Sequence, residues 1–103
     1  MRKAPEACVT MADVRAGVDS LDAELVALLA ERFRFMDAAA RIKPERGQVR
    51  DEPRKRQVIE NAAAHAQSLG LDPGIIADLW EQLVEASIAH ELQAWDRART
   101  AAE

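Results

Sequence analysis

From residue 14 onward, apolar side chains recur at alternating steps of four and three. Val14, Val18, Leu21, Leu25 and Leu28 share one helical stripe, which Met36 and Ala39 continue. The pattern predicts unbroken helix from Thr10 to about Lys43. Thr10 and Asp13 resemble a capping box in which Asp replaces the usual Glu or Gln. Gly17 costs about 1 kcal/mol relative to Ala but does not break the period. A second period runs through Val58, Ile59, Ala62, Ala66 and Leu69, with Pro53 in its first turn and Asp51 or Glu52 as cap. A third runs through Ile76, Leu79, Trp80, Leu83, Val84, Ile88 and Trp95. Gly70 suits the position after the second helix, Asp72 an N-cap, and Pro73 the first helical position. The stretch PERGQVRDEP reads as a charged connector. Residues 1–9 form an arm, and 10–103 read as a single helical domain.

The expected fold is therefore all-α, with three helices of which one is very long. Over thirty residues at 1.5 Å each make a rod of roughly 50 Å. Two helices of middling length cannot cover it, so a second copy is expected to do so, most simply in an intertwined two-fold homodimer.

Composition narrows the function classes. Among 103 residues, 49% are hydrophobic and 31% charged, which suits a globular chain rather than a disordered one. The net charge of −4 disfavours nucleic acid as a partner, since a binder usually carries a basic stripe. The single cysteine, Cys8, cannot form an internal disulfide and fits a reducing cytoplasm. No run of eighteen apolar residues exists, so no membrane span is expected. The basic residues near the start are not followed by an apolar stretch, so no signal peptide is expected there. His65 and His90 have no second ligand at metal spacing and read as structural or surface residues.

The charges on the stripes change the picture. At 100° per residue, Arg32 falls near the centre of the first stripe and Lys43 within about 20° of it. Arg34 and Arg41 point to the opposite face, where charges belong. Arg32 and Lys43 are separated by roughly 16 Å along the axis, room for a small anion between two long cations. On the third helix, Ser87 and Glu91 continue the stripe of Ile76, Trp80 and Val84. On the second, Asp51, Arg54 and Lys55 point broadly the same way as its stripe. Arg15 lies roughly 25 Å from Arg32 along the axis, so only a symmetry mate could deliver it to that site. Singly, each has an ordinary account: a snorkelling Arg, a packed Ser, a capping Asp, a Lys at a helix end, a Glu paired with Lys43 or Arg32. Together they place several cations on interior stripes, where unpaired charge is costly. A dianionic ligand would pair them.

These residues resemble the all-helical chorismate mutase class, the AroQ fold, over about residues 10–96. The likeness rests on VRAGVDSLDAELVALLAERF, on the Lys43 that follows, on VRDEPRK, on GLD before the third helix, and on Ser87 with Glu91. Isochorismate pyruvate-lyase, a relative with the same fold, is also similar, and that likeness extends into the arm at PEAC. The resemblance implies an intertwined dimer with two active sites, each closed by Arg15 of the other chain. It implies that Arg15 and Arg32 bind the substrate carboxylates and that Lys43 binds a carboxylate and the ether oxygen whose bond breaks. Arg54 would add positive charge, Asp51 and Ser87 would hold ring substituents, and Glu91 would be the second donor to the ether oxygen.

The implied reaction, chorismate to prephenate, is a rearrangement within one molecule and needs no nucleophile, metal or cofactor. It needs a folded conformer and stabilisation of charge on the ether oxygen. Two positions depart from the pattern. Glu91 stands where many bacterial mutases have Gln, and it could donate only when protonated, which predicts activity falling as pH rises. Lys55 stands where a mutase often has a Glu that contacts the ring hydroxyl. The alternatives are an isochorismate pyruvate-lyase, which releases salicylate and pyruvate, a mutase of an amino-substituted chorismate, and a helical dimerisation module without chemistry.

Overall fold

The computed structural model describes residues 2–101. Among the described residues it is all-helical: α1 (Met11–Ile42), α2 (Glu52–Ser68) and α3 (Pro73–Ala101), with short 3-10 turns at Pro5–Ala7 and Arg46–Gln48. Among the described residues no helix is long and apolar enough to cross a membrane. Two compact units divide the chain between Arg34 and Phe35, and α1 contributes to both.

In the first unit the capping box expected at Thr10 is formed. Thr10 Oγ1 accepts from the Asp13 amide at 3.1 Å, and Asp13 Oδ2 accepts from the amides of Val9 and Thr10. The arm is tied to the helix by Arg2–Glu24 at 2.7 Å and Lys3–Asp13 at 3.2 Å. The stripe of α1 is open to solvent in the single chain, with Val14 39%, Leu25 54% and Leu28 61% exposed.

The second unit holds the core. Val49, Val84 and Ile88 are buried together, with Val58, Ile59, Trp80, Leu92 and Trp95 packed against them. Asp51 caps α2 by accepting from the Arg54 amide, and Pro53 occupies its first turn. Gly70 ends the α2 segment at φ +79°, a left-handed conformation that side chains resist, and Asp72 Oδ1 accepts from the Gly74 amide to open α3.

Three positions differ from the sequence expectation. Leu69 and Leu79 keep the helical period but are 77% and 53% exposed, so they are not core in the single chain. Val49, inside the charged connector, is buried. Ion pairs to α3 on either side of it explain why. Arg46 forks onto Asp96 at 2.9 and 3.2 Å, and Arg50 forks onto Glu85 at 3.0 and 2.8 Å. The connector is thus a strap that presses Val49 onto Val84 and Ile88.

Candidate functional site

The second unit gathers Lys43, Ser87 and Glu91. Lys43 follows the last residue of α1 and precedes Pro44, which has no amide to extend the helix. Its ammonium donates to Glu91 Oε2 at 2.7 Å. The partners are unequally covered: the Glu91 side chain is 5% exposed and the Lys43 side chain 31%. One turn earlier on α3, Ser87 is buried and donates from Oγ to the Leu83 carbonyl at 2.7 Å. The stripe of α3 does turn polar at Ser87 and Glu91, in the interior, as the spacing predicts. An ammonium has three donors. Glu91 takes one, and the Lys43 side chain is 31% exposed, so the ammonium is open to solvent on its other side.

Lys43 and Asp51 also border the same open depression, about 570 Å³, together with Ile42, Gln48 and Arg50. Asp51 is the N-cap of α2, so its ordinary structural role is realised in this fold. Arg54 is exposed and donates to Gln57 at 2.7 Å. Lys55 is drawn to α3, where its ammonium bridges Glu81 at 2.7 Å and Glu85 at 2.8 Å. Those two bonds, Glu81 first, hold its pKa above the usual lysine value. Arg50 and then Lys55 hold the Glu85 carboxyl down to about 2. Arg15 and Arg32 lie on α1 in the first unit, the former exposed and the latter half-buried. Trp80 packs against the core. His90 Nε2 lies 2.7 Å from Asp37 Oδ1 on α1, in keeping with a structural histidine.

Sequence reasoning passed over one residue, Arg99, and saw in Trp95 only packing. Trp95 Nε1 donates to the Lys43 carbonyl at 3.0 Å. Arg99 donates to the carbonyls of Ala40 and Lys43, each at 2.6 Å. The signal available was spacing, since Ser87, Glu91, Trp95 and Arg99 follow one another at steps of four on α3.

Chemically, the cluster is a partly exposed ammonium anchored on a buried carboxylate, beside a buried hydroxyl. It can bind an anion and stabilise charge developing on an oxygen. Among the described residues no group of three His, Cys, Asp or Glu is placed to hold a metal ion.

Comparison with known proteins agrees with this chemistry. The family model for chorismate mutase type II matches residues 14–92. The isochorismate pyruvate lyase of Pseudomonas aeruginosa is 30% identical over 100 residues, spanning 97% of this chain and 99% of that protein.

Proposed function

Because this chain belongs to the chorismate mutase type II family, we propose that it acts on a chorismate-type dianion and converts chorismate to prephenate. The observation that carries the reading is Lys43, anchored on buried Glu91, with Ser87 one turn away and the rest of the ammonium turned to solvent. In this rearrangement the ether C–O bond breaks while a C–C bond forms elsewhere in the same molecule. Negative charge builds on the ether oxygen, and Lys43 is the donor that meets it. Arg32 binds a substrate carboxylate and shares the ether-oxygen side. Glu91 orients Lys43 through their ion pair and lies beside it as the second polar group on the ether-oxygen side. Ser87, Asp51 and Arg54 hold the ring substituents and add charge. Arg15 comes from a second copy in a two-fold homodimer, whose interface would cover the open stripe of Val14, Leu25 and Leu28. Each copy contributes a single helical domain, and the free Cys8 suits the cytoplasm.

A second reading is favoured by the likeness to the Pseudomonas isochorismate pyruvate lyase: on it, this chain would release pyruvate from isochorismate and leave salicylate. It breaks the same type of ether bond and uses Lys43 and Arg32 in the same way. On the other side stand Asp51 and the VRD stretch, which look more mutase-like.

The test is an assay with chorismate and isochorismate in parallel, at pH 5 and pH 7.5. Prephenate from chorismate is the expected result. Salicylate and pyruvate from isochorismate, with little prephenate, would move the assignment to the lyase. Turnover of neither would overturn both.

A further inference from the structure

A lysine can present its ammonium reproducibly only if both ends of its flexible stem are fixed. Glu91 fixes the far end. The near end lies where a helix is weakest. The last carbonyls of α1 have no partner within the helix, and Pro44 prevents another turn from supplying one. Ala40 is 1% exposed, so water cannot readily serve its carbonyl. Two side chains of α3 do this instead. Arg99 spans the helix end, with Nη1 on the Ala40 carbonyl and Nη2 on the Lys43 carbonyl, each at 2.6 Å. Trp95 adds its indole N–H to the same Lys43 carbonyl at 3.0 Å. The guanidinium carbon lies 4.2 Å from the centroid of the Trp95 ring, so each donor steadies the other. The cation also sits at the negative end of the α1 dipole.

The geometry points to Trp95 and Arg99 as positioning residues that clamp the main chain of Lys43, so that one face of α3 grips this lysine at both ends. The inference rests on the functional reading of Lys43. Neither side chain touches the reacting atoms; they act through where Lys43 begins. Such a role should appear in kcat, because the ether oxygen gains its charge in the transition state, whereas ground-state binding shares its load among several cations.

The test uses the full chain with Trp95→Phe, Arg99→Met and Arg99→Lys. Trp95→Phe keeps the ring under the guanidinium and removes one donor, so it stays folded even where Arg99→Met does not. The first readout is hydrogen exchange at the Lys43 amide, which donates to the Ala39 carbonyl at 2.9 Å and is released when this helix end frays. The second is the split between kcat and KM. The clamp predicts Lys43 exchange faster by about tenfold or more in Arg99→Met, with amides of α2 unchanged. It predicts kcat lower by about ten- to a hundredfold and KM within about threefold, in line with the cost of small displacements of a catalytic group. Trp95→Phe should show a smaller change of the same kind. Arg99→Lys should restore part of both, because an ammonium keeps the charge and donors but lacks the rigid planar fork that spans the two carbonyls. Unchanged exchange at Lys43 in both Trp95→Phe and Arg99→Met would overturn the clamp, and so would equal acceleration at every amide. A wild-type protein that turns over neither substrate would overturn the functional reading, while the exchange data would still decide the clamp.

Discussion

The unequal burial of Lys43 and Glu91 makes their ion pair lopsided, and the asymmetry can be measured. Their atoms lie 2.7 Å apart. At an effective dielectric of about 20, the gross attraction is about 6 kcal/mol, most of which is offset by desolvation. That cost falls on Glu91, which is 5% exposed, rather than on Lys43, which is 31% exposed. Removing the lysine as Lys43→Met strands a carboxylate in the interior, at about 3–5 kcal/mol. Removing the acid as Glu91→Met strands an ammonium on a four-carbon stem that can swing to water, at about 1 kcal/mol. The double variant has no ion left to solvate, so it should be more stable than Lys43→Met alone by about 2 kcal/mol or more. Equilibrium urea unfolding, followed by circular dichroism at one fixed protein concentration, gives all four corners of the cycle. If Lys43→Met costs no more than Glu91→Met, or if the double variant is no more stable than Lys43→Met, Glu91 does not depend on Lys43 as argued.

Other positions give simpler expectations. Asp51→Ala should cost about 1 kcal/mol through the lost cap, while Asp51→Asn keeps the cap and the melting temperature. If Asp51 also holds substrate, Asp51→Asn lowers turnover at an unchanged melting temperature, and unaltered kinetics would limit Asp51 to capping. The Glu85 carboxyl lies near 2 in the folded chain against an ordinary 4.5, held there by Arg50 and Lys55. Its contribution to stability is therefore present at neutral pH and is lost as pH falls from about 4.5 through about 2. Melting temperatures across that range should fall less steeply in Glu85→Gln, and an identical slope would count against the network. Leu25→Asp places a charge on a stripe residue that is 54% exposed in the single chain; if that stripe is the seam of the proposed two-fold dimer, sedimentation should show a dimer for the parent chain and monomers for the variant. Arg32→Ala should lower turnover by a factor of about a hundred or more while circular dichroism stays helical; loss of the helical signal would make Arg32 structural instead.

Much of the fold was legible because helices announce themselves twice, by period and by caps. Thr10 with Asp13, Asp51 before Pro53, and Asp72 before Pro73 each stand where the structure uses them. Depth was less legible than direction. Leu69 and Leu79 keep the period yet lie open, because a period tells which way a side chain points and not whether anything lies there. Val49 was hidden by its neighbours. Arg46 and Arg50 made the connector look solvated, and only their distant partners Asp96 and Glu85 turn it into a strap over the core. Arg99 was invisible for a different reason: its acceptors are main-chain carbonyls, which every sequence contains and no pattern marks.

The candidate site turns on what a charge on a buried stripe implies. Such an ion must find a partner, and the first question is whether the chain supplies it. For Lys43 it does, since Glu91 takes one of the three donors. Part of the charge that seemed to call for a ligand is therefore satisfied internally, and charge alone argues less strongly for a dianion than the stripe suggested. Arrangement says more than charge. A lysine held only for stability gains a satisfied helix end from Trp95 and Arg99 and an ion pair from Glu91, but gives no rate that depends on either. A lysine that must meet one oxygen in one direction gains from both, because preorganised donors need not reorganise when charge develops. That distinction separates a structural ion pair from a working one, and rate measurements on Trp95→Phe reach it where stability measurements do not.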